Sequence, residues 1–151
     1  MKILIDADAC PVTVKDLLYK TANKQELDIV LVANQYMRIP NSDFISSIIV
    51  SEGADVADDR IVEIMEAGDL IITADIPLAD RVIKKDGVVL DPRGTFLTDE
   101  NIGERLATRN LLDDLRSDGM ITGGPKPYGN KEKQEFANQL NKFLTKALKN
   151  K

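Results

Sequence analysis

Short, unbroken runs of Ile, Leu and Val recur along this chain and limit its possible folds more than any other feature. They fall in Lys2–Ile5, in "DIVLVA" at Asp28–Ala33, in "SIIVS" at Ser47–Ser51, in "DLIITAD" at Asp69–Asp75 and in "GVVLD" at Gly87–Asp91. A strand with one face in water alternates apolar and polar residues, whereas a run that is apolar throughout has both faces buried. Helical stretches separate the runs. Pro11 opens one that reaches about Asn23, with Val12, Leu17 and Leu18 among its apolar positions. A second spans Val56–Ala67 and stops at Gly68, and a third begins at Pro77 and ends near Lys85. This alternation predicts an α/β fold, a three-layer α/β/α sandwich around a mostly parallel sheet of about five strands. Right-handed crossovers place the C-terminal ends of such strands on one edge, where ligands bind.

Beyond Pro92 the pattern changes. A charged amphipathic helix is expected over Asn101–Arg116, followed by the Gly/Pro-rich loop "SDGMITGGPKPYGN". A terminal helix over Lys131–Lys149 carries Phe136, Leu140, Phe143, Leu144 and Leu148 on one stripe. The 151 residues suit one domain, with a core over about residues 1–95 and a helical C-terminal appendage over about 96–151. Hydrophobic content of 43% and charged content of 30% are those of an ordinary soluble protein. No apolar run approaches the roughly 18–20 residues of a membrane span. The start does not read as a signal peptide, and the single cysteine, Cys10, excludes an intrachain disulfide. Cytoplasm is the expected compartment, with no membrane partner; oligomeric state is not legible.

Histidine is absent, which removes Ser-His-Asp and Cys-His catalysis and the usual zinc sites together. Chemistry must come from carboxylates, hydroxyls, Lys or Arg, backbone amides, or an oxygen-ligated ion such as Mg²⁺ or Mn²⁺. A net charge of −5 opposes nonspecific affinity for nucleic acid, yet leaves room for a local basic surface or a metal bridge. The sign is uneven: acids are dense over residues 52–80, and residues 126–151 are mainly basic.

The acids follow the predicted strands. Asp6 and Asp8 come after the first, Asp75 after the fourth and Asp91 after the fifth, so the sheet gathers them on one edge. In "GADVADDRIVEIM", Asp55 is placed to cap a helix. Asp58 shares a helical face with Ile61, Val62 and Met65, which must pack on the sheet, so it turns inward at the helix start. Asp59 lines up with Glu63 and Glu66 on a solvent face. The spacing therefore favours Asp58 over Asp59 as a ligand. Asp75 also has a plain reading as a helix cap, and Asp80 either reaches the cluster or is solvated. Asp8 either joins Asp6 or caps the helix that Pro11 opens. Carboxylates crowded together repel unless protonated or neutralised, and a bound Mg²⁺ or Mn²⁺ is the simplest neutraliser.

The segments "ILIDADACPV", "GADVADDRIVEIMEAGDLIITADIPLADRVI", "LDPRG" and "TGGPKPYG" resemble the bacterial YaiI/YqxD family, placed among the PIN-like nuclease folds. The resemblance covers nearly the whole chain. It implies that Asp6, Asp58 (with Asp59 as its rival) and Asp75 hold metal, with Asp80 as a fourth, variable acid. Many PIN domains carry Ser or Thr close after the first Asp, and here Asp8 and Cys10 occupy that neighbourhood. The implied activity is metal-assisted hydrolysis of phosphodiester bonds in RNA or single-stranded nucleic acid, with Asp6, Asp58 and Asp75 catalytic. Arg93, Lys126 and Tyr128 are candidates to meet substrate phosphate or stack a base; their plain reading is turn chemistry and a solvated loop. Cys10 reads as a small buried filler.

Two rivals stand beside this reading. Asp6-Ala-Asp8 after an apolar strand is also the nucleophile/acid pattern of HAD-type phosphatases, with "LIIT" like their Thr-ending second motif and Lys84 or Lys85 as phosphate binder. The order then fails, because Asp58-Asp59 precede Thr73 and the later pair Asp113-Asp114 lies in an amphipathic helix. The other rival is a non-catalytic PIN-like module that binds nucleic acid or protein. No P-loop or dinucleotide fingerprint is present.

Overall fold

A computed structural model describes residues 1–53, 55–117 and 128–149; the side chains of 109–117 and of residue 149 lie outside that description. The strands are β1 (Ile3–Asp6), β2 (Ile29–Ala33), β3 (Ile45–Ile49), β4 (Leu70–Ile72), β5 (Val88–Leu90) and β6 (Phe96–Leu97). The helices are α1 (Val12–Gln25), α2 (Val56–Ile64), α3 (Ile76–Lys84), α4 (Asp99–Ser117) and α5 (Asn130–Lys149). One sheet runs in the order β3-β2-β1-β4-β5-β6, parallel throughout except for the antiparallel β6.

The unbroken apolar runs are explained by what lies on each face. Ile3 and Ile5, Leu31 and Ile72 enter a core shared with Val14 and Leu18 of α1 and Phe136 and Leu140 of α5. The alternate residues Leu4, Val32, Ile71 and Val89 enter a second core with Ile61 of α2, Leu78 and Val82 of α3, and Ile102 of α4. Strand side chains alternate across the sheet, so a strand covered on both sides has no position left for a polar residue. The fold is therefore a three-layer α/β/α sandwich.

Three details differ from the sequence expectation. The third strand lies two residues earlier than "SIIVS", because Ile45 pairs with Ile29 and is buried while Ile49 is exposed. A sixth strand, too short to show a periodicity, forms a hairpin with β5. Its turn is built by Asp91, whose Oδ1 accepts the N–H groups of Arg93 and Thr95. The last helix is part of the core: Phe136 is fully buried, and Leu140 and Leu144 nearly so. Gly94, at φ +92°, permits this docking, since a Cβ there would stand 2.7 Å from the Glu135 carbonyl carbon and 2.8 Å from the Phe136 nitrogen.

At the N-terminal edge, Asp69 is buried and accepts Lys2 Nζ at 2.6 Å, Glu66 N–H at 2.9 Å and Lys2 N–H at 3.1 Å. Burial raises its pKa, but these bonds and the Lys2 charge outweigh burial and hold it below the usual range. Acids therefore stand at both edges, and at this one a lysine is in contact with the buried carboxylate. No described helix is long and apolar enough to cross a membrane.

Candidate active site at the switch of the sheet

From β1 the chain builds outward through β2 and β3, then returns to place β4 on the other side of β1. Crossovers leave the sheet on opposite faces on the two sides of that junction, α1 on one and α3 on the other, and in open α/β sheets ligands bind at the C-terminal strand ends of such a switch. Asp6 is the last residue of β1, and Thr73 directly follows β4. The two meet there: Thr73 Oγ1 donates to Asp6 Oδ2 at 3.0 Å. Both are buried, Asp6 at 9% exposure and Thr73 at 2%. Thr73 Oγ1 in turn accepts the Asp75 N–H at 3.0 Å. One hydroxyl thus fixes both the Asp6 carboxylate and the backbone that carries Asp75.

Burial raises the Asp6 pKa, the Thr73 bond lowers it, and the charges of Asp75 and Asp8 raise it again. Asp58, in the first turn of α2, is pushed to about 6 by burial and then by Asp75, Asp6 and Asp55, with Arg81 opposing. Asp58 therefore faces the acids of β1 and β4 as its helical position predicts, and Asp59 does not. Asp59 is exposed, with Oδ1 2.9 Å from Arg81 Nη1. Asp80 pairs with Lys84 at 2.7 Å, one turn along α3.

Asp75 caps α3, accepting the Leu78 N–H on Oδ1 at 3.0 Å, as the plain reading expects. Asp55 departs from its expected capping role. It stands at the head of α2 with φ +66° and makes no side-chain capping bond. Asp8 does not cap the helix that Pro11 opens. It lies on a 3-10 turn, Ala7–Ala9, and its Oδ2 accepts the Asn34 N–H at 2.7 Å, fastening the turn to the end of β2. Pro11 heads α1 without a side-chain cap.

Arg93 and Tyr128 come together at the same edge. The guanidinium lies 6.0 Å from the Tyr128 ring centroid and 3.7 Å from Glu132 Oε1, while the Tyr128 hydroxyl donates to the Pro92 carbonyl at 2.8 Å. These contacts tie the β5–β6 turn to the head of α5, which is the structural side of their plain reading. Burial, with Cys10, Glu132 and Asp91 adding and Arg93 opposing, lifts the Tyr128 hydroxyl to about 12. Cys10 is buried, and its thiol is likewise raised to about 12, first by burial. Lys126 lies outside the described residues.

Of the residues important to this geometry, sequence reasoning met Thr73 only as the end of a phosphatase-like motif and did not single out Asn34. Thr73 had a signal, because a Thr two residues before an Asp that precedes a Pro-started helix commonly forms a local side-chain turn. Asn34 had none, since only its backbone N–H is used.

The donors are all oxygens, which suits a hard divalent ion and not zinc or copper. Among the described residues, no three His, Cys, Asp or Glu side chains are already grouped to hold an ion. The charges of Asp6, Asp58 and Asp75 act on one another without closing into a ligand cage.

Comparison with known proteins agrees on kinship. A family model described as "Uncharacterized BCR, YaiI/YqxD family" matches residues 4–146. The chain is 54% identical over 148 residues to a "UPF0178 protein" of Maridesulfovibrio salexigens, covering 98% of both chains. It is 53% identical over 146 residues to one of Burkholderia ambifaria, covering 97% of both. Another, from Cupriavidus necator, is 53% identical over 146 residues, covering 97% of this chain and 95% of the relative. No solved structure matches it. The chain belongs to the YaiI/YqxD family.

Proposed function

We propose that this member of the YaiI/YqxD family is a PIN-like, Mg²⁺- or Mn²⁺-dependent nuclease that hydrolyses phosphodiester bonds in RNA or single-stranded nucleic acid. The observation that carries the reading is Asp58. Its carboxyl is raised to about 6 by burial and by Asp75 and Asp6, beside a carboxylate that Thr73 holds in place at the switch of a parallel sheet. Strongly shifted acids at such a switch are characteristic of catalytic sites.

Asp6, Asp58 and Asp75 would hold the ion, which when bound supplies an acidified water and neutralises charge on the leaving oxygen. Thr73 keeps the Asp6 carboxylate oriented. Asp75 retains one oxygen on the Leu78 N–H, leaving its other for a ligand. Asp8, turned to the Asn34 N–H, supports the turn, and Asp59 and Asp80 each already share an oxygen with Arg81 and Lys84, respectively. Arg93 and Tyr128, on the same edge, are the candidate substrate contacts, together with Lys126.

The Thr73–Asp6 bond also favours a second reading, a HAD-type phosphatase with Asp6 as nucleophile; trapping of an aspartyl-phosphate on Asp6 would establish it. The deciding experiment for the nuclease is titration with Mg²⁺ and Mn²⁺, followed by cleavage assays on RNA and DNA panels. Wild type is expected to bind metal and cleave, and Asp6→Asn and Asp75→Asn to lose both. Absence of metal binding, or cleavage surviving both substitutions, refutes the proposal.

A further inference from the structure

The large apolar side chains exposed among the described residues are not scattered. Val12 is 68% exposed, Tyr36 85% and Ile49 47%. Val12 opens α1 after β1, Tyr36 lies just past β2, and Ile49 is the last residue of β3. Since β1, β2 and β3 are parallel neighbours, all three stand on the C-terminal edge, the edge of Asp6 and Asp8. One exposed apolar side chain is ordinary; these three share one edge, and the most exposed of them is the aromatic Tyr36.

The loop that carries Tyr36 is secured from two sides. At its entry, the Asn34 N–H is held by Asp8 Oδ2. Further along, Met37 and Ile39 pack against the core while Tyr36 and Arg38 are exposed. Tyr36 and Arg38, two residues apart in the chain, are therefore both turned to solvent.

We infer that Tyr36 is a stacking platform for a base of single-stranded nucleic acid, with Arg38 meeting the adjoining phosphate. An aromatic ring accepts the face of any base, and a guanidinium beside it engages the backbone. The inference rests on the nuclease reading and narrows its substrate: a duplex keeps its base faces stacked inside and offers Tyr36 nothing. An exposed tyrosine fits this occupant better than a buried apolar contact would, because its ring meets the base while its hydroxyl stays wet.

The test is fluorescence anisotropy with a short labelled oligouridylate and its duplex with oligoadenylate, in EDTA so that no strand is cut. Wild type is expected to prefer the single strand. Tyr36→Ala should weaken binding about 5- to 150-fold, and Tyr36→Phe should stay within about twofold of wild type. Thermal unfolding of both variants should match wild type, as the side chain is exposed. Equal binding by Tyr36→Ala, an equal loss for the duplex, or no binding by wild type overturns the inference. Tyr36-dependent binding without Mg²⁺- or Mn²⁺-supported cleavage would sink the nuclease reading alone and leave the platform standing.

Discussion

Replacing Asp58 by Asn should make the protein more stable at neutral pH. In the folded chain the carboxyl is raised from 3.8 to about 6, by burial and by Asp75, Asp6 and Asp55. At about 1.36 kcal/mol per pH unit the rise corresponds to about 3 kcal/mol against the ionised form. The residue is only partly buried, so solvent screening reduces this to about 1–1.5 kcal/mol. The sign follows from proton binding. Folded Asp58 holds its proton more tightly than unfolded Asp58, so stability falls as pH rises from 3.8 to about 6 and the full cost applies above that. Asn carries no charge and escapes it. With an unfolding entropy of about 2.1 cal/mol/K per residue, the gain at pH about 7.5 is about 3–5 °C in Tm, shrinking toward zero near pH 4. Thermal unfolding followed by circular dichroism, without divalent ions, measures it. A gain independent of pH would show that charge is not its cause, and a loss of stability at neutral pH that Asp58 is partnered rather than repelled; either result refutes the electrostatic account of the site.

Three further outcomes are expected. Thr73→Val keeps the shape of a buried side chain but deprives Asp6 of a donor and the Asp75 N–H of its acceptor; urea unfolding should show a loss of about 2–3 kcal/mol, and the Asp6 carboxyl should titrate higher by carbon-13 NMR. Gly94→Ala drives a Cβ into the α5 backbone at positive φ and should cost about 2–4 kcal/mol, with α5 amides losing hydrogen-exchange protection. Cys10, buried with its thiol near 12, should resist a thiol reagent at pH about 8 while the chain is folded and react on denaturation. Rapid labelling of the folded protein would contradict its placement.

Much of the arrangement of the candidate site was legible because its residues obey local rules. Asp6 follows a run with no polar position, and Asp58 shares a helical face with Ile61 and Met65, both buried. The same periodicity separated it from Asp59, which ion-pairs with Arg81 in solvent. What was not legible depends on partners distant in sequence. The Asp8 bond to Asn34 spans 26 positions and the Thr73 bond to Asp6 spans 67. No pattern within either segment announces them. The two-residue strand β6 is likewise too short for periodicity, and it exists because Asp91 closes a turn that folds it back on β5.

The sequence by itself determined the layers and the edge. Continuous Val/Ile/Leu runs have no face to give to water, so helices must cover both sides, and acids placed after parallel strands must share one end. Only the tertiary structure decided the order of the strands. It set β4 rather than β3 beside β1, which brings Asp6 to Thr73 and Asp75. It also made α5 the lid of one core, with Phe136 fully buried, instead of an appendage. The physical reason is the range of the forces involved. Periodicity records which side of an element is dry, whereas the choice of neighbour is made by packing among residues that only the folded chain brings into contact.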